Sequence, residues 1–122
     1  MKPITTKLHG FLDYIVGILF IAMPWILKID PKGYAGVVFI VAGIAALFYS
    51  LLTRYELGAV KLIPMKTHLA IDMLSGILLA SSPWIFDFAD SIYLPHLIGG
   101  ITEIVVVLLT RTAVDADTTR AL

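Results

Sequence analysis

Two stretches decide the fold when they are read together: residues 7–26, KLHGFLDYIVGILFIAMPWI, and residues 66–85, KTHLAIDMLSGILLASSPWI. At an offset of 59 they agree at nine of twenty positions: Lys7/Lys66, His9/His68, Asp13/Asp72, Gly17/Gly76, Ile18/Ile77, Leu19/Leu78, Pro24/Pro83, Trp25/Trp84 and Ile26/Ile85. Unrelated apolar helices share leucine and isoleucine through composition alone. Shared His, Asp, Gly, Pro and Trp in register mark a duplicated unit. The segments that follow repeat as well. Residues 43–54 over 100–111, at an offset of 57, give six identities in twelve and end in Leu-Leu-Thr-Arg both times.

Each unit carries two apolar stretches, so the chain has four: 8–27, 35–53, 67–86 and 92–110. At 1.5 Å per residue, a helix of about 20 residues spans a hydrocarbon core of about 30 Å. Of the 122 residues, 59% are hydrophobic and 15% charged, against about 25% charged in an ordinary soluble domain. Such a chain is expected to be an all-α, integral membrane four-helix bundle. It would be built from two tandem αα-hairpin repeats, 7–54 and 66–111, inside a single domain. Two spans per unit bring both units in from the same side, which puts a pseudo-two-fold axis along the membrane normal. The first stretch is too long for the apolar part of a signal peptide, and no A-x-A-like site follows it.

The Met23-Pro24-Trp25 and Ser82-Pro83-Trp84 triplets each close an apolar helix that begins Lys-x-His. In this the chain resembles the SPW-repeat family of small bacterial and archaeal integral membrane proteins. The resemblance covers both halves, about 7–111; the second triplet fits Ser-Pro-Trp fully and the first departs from it at Met23. It implies the fold and no particular reaction.

Loop charges set the expected orientation. Lys2, Lys7, Arg54, Lys61, Lys66, Arg111 and Arg120 fall on one side, and only Lys28 and Lys32 on the other. The positive-inside rule then predicts a multi-pass protein of the inner (plasma) membrane with both termini cytoplasmic. Trp25, Trp84, Tyr34 and Tyr93 become outer-interface residues. The proline before each tryptophan removes a backbone donor, freeing the carbonyl of Phe20 or Leu79, and reads as a kink or stop. The rival reading makes Pro24 and Pro83 gating hinges.

His9-x-x-x-Asp13 and His68-x-x-x-Asp72 place each pair one turn apart on one helix face. Asp is costly in hydrocarbon, so that face is expected to turn inward. Glu103, counted back from its helix end, comes to about the same depth as the two aspartates, with Tyr49 and Ser50 close by. A polar layer of His9, Asp13, His68, Asp72 and Glu103 is therefore expected in the cytoplasmic third. Four readings compete for it. The first is a structural lock, with the pairs bonding each other or Arg54, Arg111, Lys7 or Lys66. The second is a proton- or cation-linked transport site, the third a metal or haem site, and the fourth a pocket for a quinone or lipid. His96 and Glu103 have no counterparts in the first half, where Phe39 and Ala46 stand; His96 reads as an interfacial histidine exposed to water.

Small residues (Gly36, Ala42, Gly43, Ala46, Gly99 and Gly100) mark close helix contacts, within the bundle or between subunits. Four short helices leave little room for a solute path, so a transporter of this size is expected to be a homo-oligomer. No enzyme motif is present, and with no cysteine thiolate sites and disulfides are excluded. With nine basic and nine acidic residues and no basic stripe, nucleic acid is not an expected partner; the lipid bilayer is. Residues 115–122 read as a short polar tail.

Overall fold

The computed structural model describes residues 2–114. Among them it forms four helices: α1 (Thr6–Ile26), α2 (Tyr34–Leu51), α3 (Met65–Ile85) and α4 (Leu94–Leu109). The tail read from the sequence at 115–122, Arg120 included, lies outside the described residues. Local chemistry sets the helix ends. Thr5 caps α1 by accepting from the Leu8 amide at 3.1 Å. Pro64, with φ −60° and ψ 150°, cannot join α3 and starts it instead. Proline also occupies the first turn of α4, which begins at Leu94 rather than 92 because that is where a missing amide does no harm.

The α1 and α3 helices end alike. Lys28 and Asp87 adopt left-handed backbone, φ 56° and 58°. The Ile29 amide donates to the Pro24 carbonyl at 2.9 Å, and the Phe88 amide to the Pro83 carbonyl at 2.8 Å. These are the long bonds of a Schellman cap. Both helices thus run through their prolines to Ile26 and Ile85 and are closed by backbone using the proline carbonyl.

Within each hairpin the helices pack side by side, α1 on α2 and α3 on α4, while α2 meets α3 more lightly and α1 barely touches α4. Glycine permits the tight pairs. A Cβ on Gly43 would meet the Gly17 carbonyl and Ile21; one on Gly100 would meet the Gly76 carbonyl and the Ala80 amide. The two contacts are equivalents in the repeat.

The far end, with the segment before α1, the segment after α4 and the central loop, is closed by two parallel β-bridges. Ile4 donates to the Leu109 carbonyl at 3.0 Å and accepts from the Arg111 amide at 2.9 Å; Ile63 donates to the Leu52 carbonyl at 2.7 Å and accepts from the Arg54 amide at 2.8 Å. This explains why α2 stops at Leu51: Thr53 and its neighbours leave the helix to pair with the segment before α3. The start of repeat 1 closes on the end of repeat 2, so the halves form a ring about a pseudo-two-fold axis. Equivalent residues meet along that axis. Phe20 and Leu79 share one buried cluster, Phe39 and His96 rings lie 4.1 Å apart, and His9 and His68 rings 5.3 Å apart.

Outward faces carry Ile15, Ile18, Phe48, Leu74, Ile98 and Leu108, all exposed, whereas Thr6, His9, Ser50, Thr53, His68, Asp72, Ser82 and Thr110 are buried. This reverses the arrangement of a water-soluble domain and suits a bundle in lipid. The α1, α2 and α3 helices are each long and apolar enough to cross a membrane; α4 is shorter, at 16 residues. Trp25 and Trp84 are more than half exposed at the turn end, where the Trp84 ring meets Tyr93 at 5.7 Å and Tyr34 stacks on Phe86 at 6.4 Å.

Candidate functional site

The two His–Asp faces turn inward and meet. His9 Nε2 lies 3.1 Å from Asp13 Oδ1 on its own helix and 2.8 Å from Asp72 Oδ2 across the axis. His68 Nε2 lies 3.0 Å from Asp13 Oδ2 and 3.1 Å from Asp72 Oδ2. Each imidazole therefore faces both carboxylates, and each carboxylate faces both imidazoles. The four donor atoms lie within 4.8 Å of one another.

The other side of each imidazole is committed to a threonine of the opposite repeat. His9 Nδ1 is 2.9 Å from Thr110 Oγ1, and His68 Nδ1 is 2.7 Å from Thr53 Oγ1. Each threonine hydroxyl also donates to the carbonyl one turn back, Thr53 to Tyr49 at 2.7 Å and Thr110 to Val106 at 2.5 Å. A hydroxyl has one proton. Both contacts of each threonine are satisfied only if Nδ1–H donates to Oγ1. The tautomer is thereby fixed, and both Nε2 atoms point at the aspartates.

Two tyrosines complete the carboxylates. The Tyr49 hydroxyl donates to Asp72 Oδ1, and the Tyr55 hydroxyl donates to Asp13 Oδ2 at 2.8 Å. Tyr55 comes from the central loop, which folds back beneath α1. There the Thr6 hydroxyl donates to Glu56 at 2.7 Å, and the Tyr14 hydroxyl to the Leu57 carbonyl at 2.8 Å. The absence of a side chain at Gly10 leaves room for Tyr55 and Leu57. Burial first, and then the Asp13 charge, push the Tyr55 phenol above its ordinary pKa.

Glu103 faces a cavity of about 360 Å³ that Asp13 and Asp72 also line. Asp13, Asp72 and Glu103 thus line one cavity, with Tyr49 among them. Ser75 lies within hydrogen-bonding reach of the Glu103 carboxyl, and its buried Oε2 has no hydrogen-bond partner among the described residues.

Two expectations are corrected. His96 is not exposed to water; it is fully buried. It sits in the first turn of α4, opposite its repeat-mate Phe39 on the axis, donates from Nε2 to the Ala35 carbonyl at 2.9 Å and packs against Phe88, ring centres 4.8 Å apart. Nor, among the described residues, does an arginine pair with Asp13 or Asp72. Arg54 Nε donates to the Lys61 carbonyl at 3.1 Å and Arg111 Nε to the Lys2 carbonyl at 2.8 Å. The β-bridges hold both arginines at the base, where loop carbonyls are nearer than the layer. The threonines beside them do the work, and the repeated Leu-Leu-Thr-Arg was the available signal.

The Ser-Pro-Trp triplet gains a local reason. Pro83 leaves the Leu79 carbonyl without its usual donor, and the Ser82 hydroxyl donates to that carbonyl at 2.7 Å. Met23 has no hydroxyl to do the same for Phe20.

Fold and site together define a multi-helix membrane protein with a polar centre joining two repeated halves. The chain belongs to the SPW repeat domain family, whose model matches residues 7–110. No curated protein and no solved structure matches it.

Proposed function

We propose that the His9–Asp13–His68–Asp72 centre is an intramembrane binding site for one divalent transition-metal ion of the zinc class, and that the protein has no enzymatic role. One observation carries the reading: both imidazoles are held by threonine at Nδ1 with Nε2 turned to two carboxylates. A hydrogen bond at the far ring nitrogen is how proteins orient histidine ligands, and two His with two carboxylates is a donor set that zinc accepts. Metal–ligand bonds of about 2.0–2.2 Å hold tetrahedral donors roughly 3.5 Å apart, and the donors here bracket that spacing, from 2.8 Å for the nearest pair to 4.8 Å overall. The Nε2 atoms meet carboxylates directly, which leaves no slot for a haem macrocycle between them.

A second reading has its own support. Spacings of 2.8–3.1 Å are hydrogen-bond lengths, as in a lock where protonated imidazoles donate to both aspartates. In both readings the centre ties the halves together. Loop charge supports the plasma membrane with both termini cytoplasmic. The small size supports a homo-oligomer if the ion is to be moved rather than held.

Metal analysis of the purified protein after equilibration with zinc decides between them. About one equivalent is expected, and Thr53→Val with Thr110→Val should weaken binding 10–100-fold. Less than a tenth of an equivalent, together with no tetrahedral cobalt absorption on Co²⁺ addition, sinks the metal reading and leaves the lock.

A further inference from the structure

The pseudo-two-fold axis makes the α1/α4 seam equivalent to the α3/α2 seam, yet one is open and the other closed. Where α2 has Ala46 and Tyr49, α4 has Glu103 and Val106. Tyr49 fills its seam and bonds Asp72; Val106 leaves its seam empty. The space left is the cavity of about 360 Å³, within the 300–1,000 Å³ range of small-molecule sites. Its upper wall is apolar and partly aromatic, with Phe20, Met23, Phe39 and Ile98; its floor holds Asp13, Asp72 and Glu103. Among the described residues no lysine, arginine or histidine lines it. Leu19 and Ile98 at its lips are well exposed, so the groove faces the bilayer side of the bundle.

We propose that this groove binds a lipophilic organic cation, its apolar body against Phe20 and Phe39 and its positive charge at Glu103. This goes beyond the metal reading and does not depend on it. Three features fit that class of ligand. The aspartates are already engaged by histidine and tyrosine, which leaves Glu103 as the acid of this floor with no ion pair among the described residues; its buried Oε2 has no hydrogen bond among them. A carboxylate with no counter-charge is costly in hydrocarbon and marks a site for a partner. The Phe20 and Phe39 rings in the wall suit the apolar, aromatic body of such a ligand. A lipid acyl chain would satisfy the walls and leave Glu103 without a counter-charge.

The test uses the full chain in nanodiscs of zwitterionic lipid, with tetraphenylphosphonium as probe and tetraphenylborate as an anion of the same shape. Saturable binding of the cation is expected, with at least tenfold weaker binding in Glu103→Gln and none in Val106→Tyr, which copies Tyr49 into the open seam. Equal uptake of cation and anion, or unchanged cation affinity in Glu103→Gln, overturns the proposal in favour of apolar filling. Glu103→Gln preserves size, so the test holds even if Val106→Tyr fails to fold. Zinc binding should persist in Glu103→Gln, which separates failure here from failure of the metal reading.

Discussion

The α2/α3 and α1/α4 seams began as copies and now differ in kind. At the closed seam, Tyr49 spans from α2 to Asp72 and makes that carboxylate part of the joint between the halves. At the open seam, Asp13 draws its tyrosine from outside the bundle, from Tyr55 in the central loop, and the helices stay apart around a cavity. The lesson is that a duplicated bundle can keep its symmetric polar centre while relieving one seam of its structural duty. The change needs few residues: a tyrosine on one side, a glutamate and a valine on the other.

The largest expected effect strikes the centre that both seams share. Asp72 faces two histidines and Tyr49; its removal takes the acceptor from Tyr49 and leaves both histidines to Asp13 alone. Asp72→Ala should destabilise the protein by about 3–5 kcal/mol, the range for breaking a buried charged pair. The measure is unfolding by rising SDS fraction in mixed micelles, followed by circular dichroism. Asp13→Ala should be milder, because its tyrosine sits on a loop that can relax. Equal losses would show that the seams do not differ in the way the geometry states.

A smaller effect distinguishes the packed hairpin from the open groove within two adjacent residues. A Cβ on Gly100 runs into the backbone of α3, whereas one on Gly99 meets only Leu79 and Phe20 side chains at 3.4 Å or more. Gly100→Ala should therefore cost about 1–3 kcal/mol as overpacking. Gly99→Ala should be near neutral in the same titration and should lower tetraphenylphosphonium uptake by narrowing the groove. Loss of stability at Gly99 would mean that the groove is packed in the membrane.

Much of the fold was legible because the duplication is written in residues that lipid-facing helices do not share by chance. His9, Asp13 and their mates announced an inward polar face, and helix rise alone brought Glu103 to its depth. The partners within that layer were not legible. Spacing within one helix says that His9 can reach Asp13; it cannot say that His9 also reaches Asp72, since that depends on how two halves close about an axis. The threonines are less conspicuous than the arginines next to them because charge suggests pairing, and one of the two β-bridges that fix those arginines at the base joins residues more than a hundred positions apart, Ile4 and Thr110. His96 is hidden for a similar reason: a histidine near a helix end looks interfacial until the axis sets it against Phe39.

The smallest effect concerns the triplets themselves. Ser82 supplies the donor that Pro83 withholds from Leu79, and both residues are buried, so water cannot replace it. Ser82→Ala should then lower stability by about 0.6 kcal/mol, the average for a side-chain hydrogen bond inside a membrane bundle, and by no more than about 1.7. The first repeat offers the reverse experiment. Pro24 leaves the Phe20 carbonyl in the same position, and Met23→Ser would bring a hydroxyl to it. That gain competes with the loss of Met23 packing from the buried cluster and from the groove wall, since dispersion contacts hold helices together in lipid. The net should be destabilising, which gives a physical reason for the departure from Ser-Pro-Trp at the open seam: there the side chain before proline is needed as wall. A stabilised Met23→Ser variant would mean that the carbonyl, not the groove, sets the requirement at this position.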